Sequence, residues 1–430
     1  MTRLEFWALF NGPYPEVPWA GHRRSNYIDL PQEEIYDDAV AQRVLEEQLE
    51  SMVVAEEMGF DGVLLTEQHG GPIGLVGNAL TAMMWAAART SRIQLGAVGP
   101  IANAYLTPVR LAEEIALVDI MSKGRLVVGL PMGIGMQYHA YGVMNPAFAR
   151  ERWNEAHELL VKAMTEPGPF EWAGRHFHVP HVNLWPRPLQ KPHPPIWIPA
   201  VGSRETLELV ARHRYVYQCV LTGRATLLRN LELFRELCRA EGYEPEPQQV
   251  TMVNTVYVAE TDAAARREAE PHVLWQYQNF FNSPFPDAFP PGHVSQASLA
   301  GMMRGGYRSS DPADATWEQL EREWGIVAGS PDTVVERLGE IAEATGAGRF
   351  LIDVNPGPMP RWQMLKNMSL LAEEVIPRLR GGRPVWADRP LPGAETWSER
   401  AERGRQPAVA PSARIDGELV DPRRAVAAGG

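Results

Sequence analysis

The sequence predicts an α/β fold, a closed (β/α)8 TIM barrel, because short apolar runs alternate with longer amphipathic segments along most of its 430 residues. Eight of these runs are predicted strands: Arg3–Phe10, Gly62–Thr66, Ile93–Val98, Arg125–Leu130, Pro195–Ala200, Val216–Leu221, Thr251–Ala259 and Phe350–Val354. Strands that are apolar on both faces and return through helices form parallel sheets, and eight units favour a closed barrel. On pattern alone, an open doubly wound sheet is the alternative.

The segments between the strands carry helix signals at their ends as well as in their periodicity. In the first segment, Val44, Leu45 and Leu49 share one face, and Gly59 stands where a helix-ending glycine belongs. Pro108 opens another segment at the first turn, where a missing N–H costs nothing. The predicted helices are Ala41–Met58, Val76–Arg89, Pro108–Met121, Arg150–Met164, Ser203–Arg212, Ala225–Glu241, Asp332–Thr345 and Trp362–Leu379.

Two segments interrupt the alternation. Residues 262–330 follow the seventh strand of a barrel that we expect to span residues 1–380. This insertion is either a lid or pocket wall, or else a peripheral subdomain or oligomer contact. Its aromatic residues are Trp275, Tyr277, Phe280, Phe281, Phe285 and Phe289. Residues 381–430 are rich in Pro, Arg, Gly and Ala without apolar periodicity, which predicts a mostly disordered, non-catalytic tail.

Composition narrows the class of protein. The net charge is −12 and no long basic run occurs, which argues against a general nucleic-acid surface but not against a local phosphate pocket. The two cysteines, Cys219 and Cys238, cannot build a disulfide framework. We see neither a signal peptide nor an apolar run of the roughly 20 residues that span a bilayer. These features predict a soluble, cytoplasmic protein with no membrane partner.

Several motifs then resemble one family. The stretches are Pro108–Glu114 (PVRLAEE), Asp119–Arg125 (DIMSKGR), Gln190–Trp197 (QKPHPPIW), Gly329–Val334 (GSPDTV) and Ser369–Pro377 (SLLAEEVIP). Together, in this order and at these spacings, they resemble the luciferase-like monooxygenases over roughly residues 1–380.

The resemblance implies a fold, a cofactor and partners. It implies a (β/α)8 barrel that forms a homodimer and binds reduced FMN delivered by a separate flavin reductase. With O2, such an enzyme oxidises a small organic substrate, here expected to be an apolar or carbonyl compound. One branch of the family uses the deazaflavin F420 for hydride transfer, and a non-catalytic flavin-binding protein is a further alternative. No metal is expected, since His176, His178 and His181 do not make a complete ligand set.

The turn after the fifth strand is the candidate phosphate site. Gly202 permits close backbone approach, and the hydroxyls of Ser203 and Thr206 face the same way at the start of a helix, where relatives hold the flavin phosphate. Alternatively, Ser203 is only an N-cap. Met132 stands near a position where many relatives carry a phosphate-binding arginine, so Arg204 or another basic residue compensates, or the phosphate is held more weakly.

The turn after the third strand is the candidate site for the flavin ring. In luciferases a non-proline cis peptide lies at the position matching Gly99–Pro100, and a cis bond costs less before proline. We therefore predict a cis Gly99–Pro100 bond. Asn103 is a candidate hydrogen-bonding partner of the polar flavin edge, or it is satisfied by backbone. Tyr138 approaches the flavin tail or the substrate, or it lies on the surface.

The end of the second strand supplies the candidate proton-transfer group. It reads Glu67-Gln68-His69, where many relatives have Glu-His-His with a functional first histidine. Gln68 cannot act as a base but can donate a hydrogen bond to an oxyanion. Histidine is the usual side chain for proton transfer near neutral pH, which makes His69 a candidate, although a lone histidine is more often structural. Phe10, Tyr14 and Trp19 are predicted to wall the substrate pocket.

Overall fold

The computed structural model describes residues 3–17, 30–142, 145–220, 222–280, 285–296, 299–300 and 314–381, with two short strands at 413–415 and 418–420. The chain divides into two units, Met1–Arg389 and Pro390–Gly430. In the first unit the strands are β1 Glu5–Phe10, β2 Gly62–Thr66, β3 Gln94–Val98, β4 Leu126–Gly129, β5 Phe170–Ala173, β6 His178–Val182, β7 Ile196–Ala200, β8 Val216–Cys219, β9 Val250–Val258, β10 Ile326–Gly329 and β11 Arg349–Asp353.

Eight of these strands close into a parallel barrel in the order β1-β2-β3-β4-β7-β8-β9-β11. The ring closes because β11 pairs with β1, Leu9 lying opposite Asp353, while β8 pairs with the first residues of β9. The predicted (β/α)8 barrel is therefore confirmed, and the open sheet is not formed.

Three strands lie outside the predicted set. The strands β5 and β6 form an antiparallel hairpin between the fourth and fifth barrel strands. The strand β10 pairs in parallel with the second half of β9, from Thr255 to Val258. With nine residues, β9 is long enough to close the barrel with its first half and hold β10 with its second.

All eight predicted helices are present with bounds within a few residues, although the last one is divided in two. The described α-helices are α1 Gln32–Ile35, α2 Asp38–Met58, α3 Ala79–Arg89, α4 Pro108–Met121, α5 Gly135–Tyr141, α6 Ala149–Thr165, α7 Arg204–His213, α8 Arg224–Ala240, α9 Asp262–Trp275, α10 Phe285–Ala288, α11 Trp317–Arg322, α12 Pro331–Thr345, α13 Arg361–Leu370 and α14 Ile376–Leu379. Of these, α1, α5, α9, α10 and α11 were not predicted. Asp37 caps α2 by accepting from two backbone N–H groups, and Gly59 ends it at φ +87°. None of the described helices is long and apolar enough to cross a bilayer.

The barrel interior is filled from its amino end by two tryptophans. Trp7 and Trp197 lie with ring centroids 4.7 Å apart, and the Arg349 guanidinium covers the Trp197 ring at 4.6 Å. Arg349 also donates to the Glu5 carboxylate at 2.8 Å. Gly62 makes room for this layer, because a Cβ there would lie 2.2 Å from the Trp7 ring. The amino end is thus closed by side chains, as is usual for such barrels.

The predicted insertion and tail are only partly described. Residues 262–330 contain α9, α10, α11 and β10, and their role stays a prediction. Phe281 and Trp19 lie outside the described residues, as do the side chains of Phe280 and Phe285. In the second unit, Ala413–Ile415 and Glu418–Val420 form an antiparallel pair, and the rest of the predicted disorder falls on residues outside the description.

A cluster of aromatic and histidine rings packs near the amino ends of β7 and β8. His157 in α6 stacks on Trp153, with centroids 5.3 Å apart, and its Nε2 lies 2.8 Å from the Tyr215 hydroxyl. Burial, and to a lesser extent His213 and His193, lowers the pKa of His157 to about 3. The folded state therefore holds this ring neutral, whereas the unfolded chain protonates it below about pH 6.5.

We expect Gly62→Ala to destabilise the barrel by about 1–3 kcal/mol, because the added methyl group would overlap the Trp7 ring. The matched control is Gly339→Ala in α12, where a Cβ would lie 4.0 Å from its nearest neighbour and helix propensity should raise stability slightly. Urea unfolding measures both. Equal stability of the two variants would contradict the packing account.

We expect His157 to contribute stability above pH 6.5 that is lost as the pH falls toward 3, because only the unfolded state takes up its proton. His157→Phe should keep the stack on Trp153 and flatten the acid decline by up to about 1.4 kcal/mol per pH unit. Urea unfolding between pH 7.5 and pH 4.5 tests this, with the exposed His178→Phe as control. Parallel stability curves for wild type and His157→Phe would count against it.

Candidate functional site

The candidate site residues gather in the loops that follow the carboxyl ends of the barrel strands. The loop after β2 contributes Glu67 to His69, and the loop after β3 contributes Gly99 to Asn103. The loop after β4 leads into α5, and the turn after β7 leads into α7. Active sites of (β/α)8 barrels lie at this end, where eight loops converge.

The turn between β7 and α7 forms a hydroxyl pair. Ser203 Oγ and Thr206 Oγ1 lie 2.8 Å apart. Ser203 occupies the N-cap position of α7, but its side chain accepts no capping hydrogen bond from the helix. Gly202 has φ +101°, and a Cβ there would lie 2.0 Å from the Asn230 amide. Ser203 is therefore the N-cap residue by position, but its hydroxyl is directed to Thr206 and not to a backbone N–H of the helix.

A half-buried arginine completes this turn. Arg150, from the first turn of α6, donates from Nη1 to Thr206 Oγ1 at 3.3 Å. Burial lowers the pKa of Arg150, an effect that Glu205 partly offsets. Arg204 instead pairs with Glu208 on the surface at 2.8 Å, and Met132 packs against the hydrophobic core. The sequence left either Arg204 or another basic residue as the partner of the hydroxyls. In the structure that residue is Arg150 and not Arg204. We call Arg150, Ser203 and Thr206 the anion cradle.

Tyr138 connects the cradle to the insertion. Its hydroxyl lies 2.5 Å from Nδ1 of His293, and both side chains are buried. Burial and the neighbouring Arg150 lower the pKa of His293 to about 4, so the ring is neutral at pH 7. The backbone of Asp287 also packs on α5, since a Cβ at Gly135 would lie 1.5 Å from the Asp287 carbonyl oxygen. The insertion residues 285–296 therefore contact the helix that carries Tyr138.

A second polar cluster surrounds His69. Its Nε2 lies 3.0 Å from Glu67 Oε1 and 3.3 Å from the Tyr141 hydroxyl, which itself donates to Glu67 Oε1 at 3.1 Å. Glu67 is almost fully buried, and its Oε2 accepts from the Ala79 backbone N–H at 3.4 Å. Burial and the Glu67 charge raise the pKa of Tyr141. His69 is therefore held by a carboxylate and a protonated phenol, an arrangement that can store or move one proton.

Gln68 is anchored beside this cluster. Its Nε2 donates to Thr66 Oγ1 at 3.1 Å, and Thr66 donates to Asn11 Oδ1 at 2.5 Å. The amide therefore has a fixed orientation at the end of β2.

The predicted cis bond at Gly99–Pro100 is wrong. The cis peptides of the described residues lie at Gly168–Pro169, Trp185–Pro186 and Lys191–Pro192. Gly99 makes the bend through its own torsion, at φ +130°, and passes so close to Glu67 that a Cβ would lie 2.3 Å from the Glu67 Cβ. A glycine can adopt this torsion without strain, so no cis bond is needed.

Three further predicted site residues are Asn103, Phe10 and Tyr14. Asn103 is fully buried and donates to the Ala149 carbonyl at 3.4 Å, while its Oδ1 has no partner among the described residues. Its predicted flavin contact stays a prediction. Phe10 packs in the core between barrel and helices, and Tyr14 donates to the Ile35 carbonyl at 3.1 Å. Phe10 therefore does not wall the barrel mouth as predicted, whereas Tyr14 packs with Ile73 and Met136 of the loops at that end, and its role in the pocket stays a prediction.

The histidines of the β5–β6 hairpin do not converge. His176 lies 3.4 Å from Glu151, and His178 lies 3.9 Å from Glu171 on the surface. Among the described residues, no group of three or more His, Cys, Asp or Glu side chains is placed to hold a metal ion.

The sequence did not predict four of the residues in these clusters: Arg150, Glu67, Tyr141 and His293. The spacing could have indicated Tyr141, because it follows Tyr138 by three residues and so lies on the same side of a helix. Arg150 and His293 carry no local motif, since their partners lie 56 and 155 residues away along the chain.

The family model described as luciferase-like monooxygenase matches residues 30–348. An uncharacterised protein of Sinorhizobium fredii, y4vJ, is 25% identical over 78% of this chain and 92% of that protein. Limonene 1,2-monooxygenase of Rhodococcus erythropolis is 22% identical over 80% and 84%. The oxygenase component of the flavin-dependent trigonelline monooxygenase of Acinetobacter baylyi is 27% identical, over 39% of this chain and only 46% of that protein.

Two solved structures, one in complex with FMN and one of an F420-dependent enzyme, share the fold. The oxygenating constituent of 3,6-diketocamphane monooxygenase from Pseudomonas putida, in complex with FMN, superposes with a TM-score of 0.66 at 20% identity, covering 88% of this chain and 99% of that one. The coenzyme F420-dependent tetrahydromethanopterin reductase of Methanopyrus kandleri gives 0.58 at 18% identity, covering 88% and 99%. At these identities the likeness concerns the fold.

Proposed function

The chain belongs to the luciferase-like monooxygenase family, and on that premise we propose that it uses reduced FMN and O2 to oxidise a small organic substrate at the barrel mouth. The observation that carries the proposal is the anion cradle. Two hydroxyls, of which that of Ser203 makes no capping hydrogen bond, and one half-buried guanidinium meet at a helix N-terminus. A phosphate ester matches this set of donors in charge and in hydrogen-bonding capacity.

The cradle fits the phosphate end of FMN in three respects. Ser203 and Thr206 can each donate one hydroxyl hydrogen, and Arg150 supplies a positive charge in a partly buried position. Gly202, at φ +101°, allows the tight turn that brings both hydroxyls to the start of α7. When bound, reduced FMN supplies the electrons for the reaction with O2.

The His69 cluster is the proposed proton-transfer group. Glu67 and Tyr141 orient the imidazole, so that a proton can be held or moved at Nε2. Gln68, fixed by Thr66, can donate a hydrogen bond to an oxyanion that develops in the mouth. Glu67 is almost fully buried, so the carboxylate that orients His69 is shielded from water.

The proposed partners follow from this chemistry. A separate flavin reductase delivers reduced FMN, as the name of the trigonelline relative, an oxygenase component, suggests for that protein. We also propose a homodimer, as for the family.

Hydride transfer with F420 is the second candidate, favoured by the fold shared with an F420-dependent reductase. A non-catalytic flavin-binding protein is the third, since Gln68 stands where relatives have histidine. Titration with FMN and with F420 separates the first two, because tighter binding of F420 would overturn the FMN proposal. Oxygen consumption coupled to product formation, with NADH, a flavin reductase and a panel of ketones and alkanes, excludes mere binding.

We expect Arg150→Met to weaken FMN binding by about 10- to 100-fold, because a charge-assisted hydrogen bond is worth about 1.5–3 kcal/mol. Ser203→Ala and Thr206→Val should each weaken it less. The dissociation constant is measured from quenching of FMN fluorescence. Arg204→Met is the matched control, since this exposed arginine pairs with Glu208 and should leave the constant unchanged. Equal effects of the two arginine variants would refute the cradle.

We expect His69→Asn to lower turnover by about 100-fold or more, the usual contribution of a positioned acid or base, while the FMN dissociation constant stays within about twofold. The rate of product formation with reduced FMN and O2 measures this. His139→Asn is the control, because this neighbouring histidine is exposed. Full turnover in His69→Asn would assign the ring a structural role.

A further inference from the structure

A buried carboxyl group lies at the barrel mouth, outside the clusters described above. Asp353 ends β11, the strand whose Leu351 packs inside the barrel with Trp7 and Leu64. Because side chains alternate along a strand, Asp353 projects into the same interior two residues nearer the carboxyl end. It is 4% exposed.

This carboxyl group is only half satisfied. Its Oδ2 accepts from Gln276 Nε2 at 2.8 Å. Its Oδ1 is buried with no hydrogen-bond partner, and within the described ranges no ion pair joins it to a cation. Thr255 and the Asn355 backbone lie near enough to favour the charged form, but neither makes a hydrogen bond to Oδ1. A buried acceptor without a donor is costly, so the site is incomplete as it stands.

Burial raises the pKa of Asp353 to about 6, and Gln276 offsets only part of this rise. The nearby Tyr277 has its own pKa raised, by burial and then by the Asp353 charge, so it stays a neutral phenol. At pH 7 and above, Asp353 is therefore mainly a carboxylate, which can accept hydrogen bonds but cannot donate them.

The mouth has a polar side and an apolar side. By the same alternation, Thr255, Asp353 and Thr66 face inward from β9, β11 and β2, which lie next to one another around β1. On the opposite strands β3 and β7, the corresponding interior residues are Val98 and Pro199. Gln218 in β8 also leaves a buried acceptor, Oε1, without a partner. Asp353 Oδ1 and Gln218 Oε1 are thus two buried acceptors without a donor on the polar side.

We propose that Asp353 determines substrate specificity, and that the substrate is a compact apolar molecule with a hydroxyl or amine group that donates to Asp353 Oδ1. This inference rests on the proposed function, because it assumes that a substrate enters the barrel mouth. It narrows the substrate class from apolar or carbonyl compounds in general to those with one hydrogen-bond donor. An N–H group of the flavin ring is the other donor that could reach the same atom, and the test separates the two.

The test compares three ring compounds of similar size: cyclohexanol, cyclohexylamine and methoxycyclohexane. Their dissociation constants are measured by calorimetry with the full chain, with and without FMN. Cyclohexanol and cyclohexylamine should bind at least about tenfold more tightly than the ether, since a hydrogen bond to a charged group is worth about 1.5–3 kcal/mol. Equal binding of donors and ether, or no binding of any of them at millimolar concentration, would overturn the proposal.

The variant Asp353→Asn tests whether Asp353 is the group that accepts the hydrogen bond of the ligand. The amide oxygen can keep the bond from Gln276, and the amide N–H2 then replaces the free acceptor, so the preference for donors should disappear or reverse. Asp332→Asn, a carboxylate exposed on the surface beside Arg378, should leave all constants unchanged. If Asp353→Asn does not fold, the wild-type comparison of donor and ether decides alone.

The titrations with FMN distinguish the proposed function from the proposed role of Asp353. Normal FMN binding with no donor preference would reject only the role of Asp353. Absence of FMN binding would reject the proposed function, while the flavin-free titrations still report on Asp353. An FMN constant weakened at least tenfold in Asp353→Asn, with the donor preference unchanged, would assign the carboxylate to the flavin ring and overturn the substrate inference.

Discussion

The structure depends first on how the barrel interior is filled. Two indole rings, from Trp7 and Trp197, occupy its amino end, and Gly62 leaves the space that they need. Arg349 and Glu5 close that end with an ion pair against the rings. The carboxyl end is therefore the end left for a ligand among the described residues, and there the strands lead polar side chains into loops. The location of every candidate group described here follows from that asymmetry.

At the carboxyl end, the short helix α5 contributes to two polar clusters. Tyr138 and Tyr141 lie three residues apart in α5 and so project from the same side of it. Tyr138 meets His293 beside Arg150, whereas Tyr141 meets Glu67 and His69. One short helix therefore contributes a side chain to the His69 cluster and another to the contact with His293. The same helix contacts the insertion, which gives residues 285–296 a physical route to both clusters.

The sequence predicted those parts of the molecule that depend on local patterns. The eight barrel strands follow from apolar periodicity, and the Pro108–Met121 helix matches to the residue because Thr107 and Pro108 define its start. Ser203 and Thr206 were predicted as a pair because three residues separate them at a helix start. Arg150 was not, because only the folded barrel brings α6 beside α7. The four residues of β10 are too few for a periodic signal. The prediction of a cis Gly99–Pro100 bond was wrong because Gly99 makes the bend through its own positive φ.

The central claim is that the phosphate of a flavin mononucleotide binds in the cradle formed by Arg150, Ser203 and Thr206. A crystal structure of the full chain soaked with FMN tests it most directly. The account predicts phosphate density within hydrogen-bond distance of Ser203 Oγ, Thr206 Oγ1 and the Arg150 guanidinium, with the ring system extending toward His69. Phosphate density elsewhere in the barrel, with the three side chains still bonded only to one another, would contradict it.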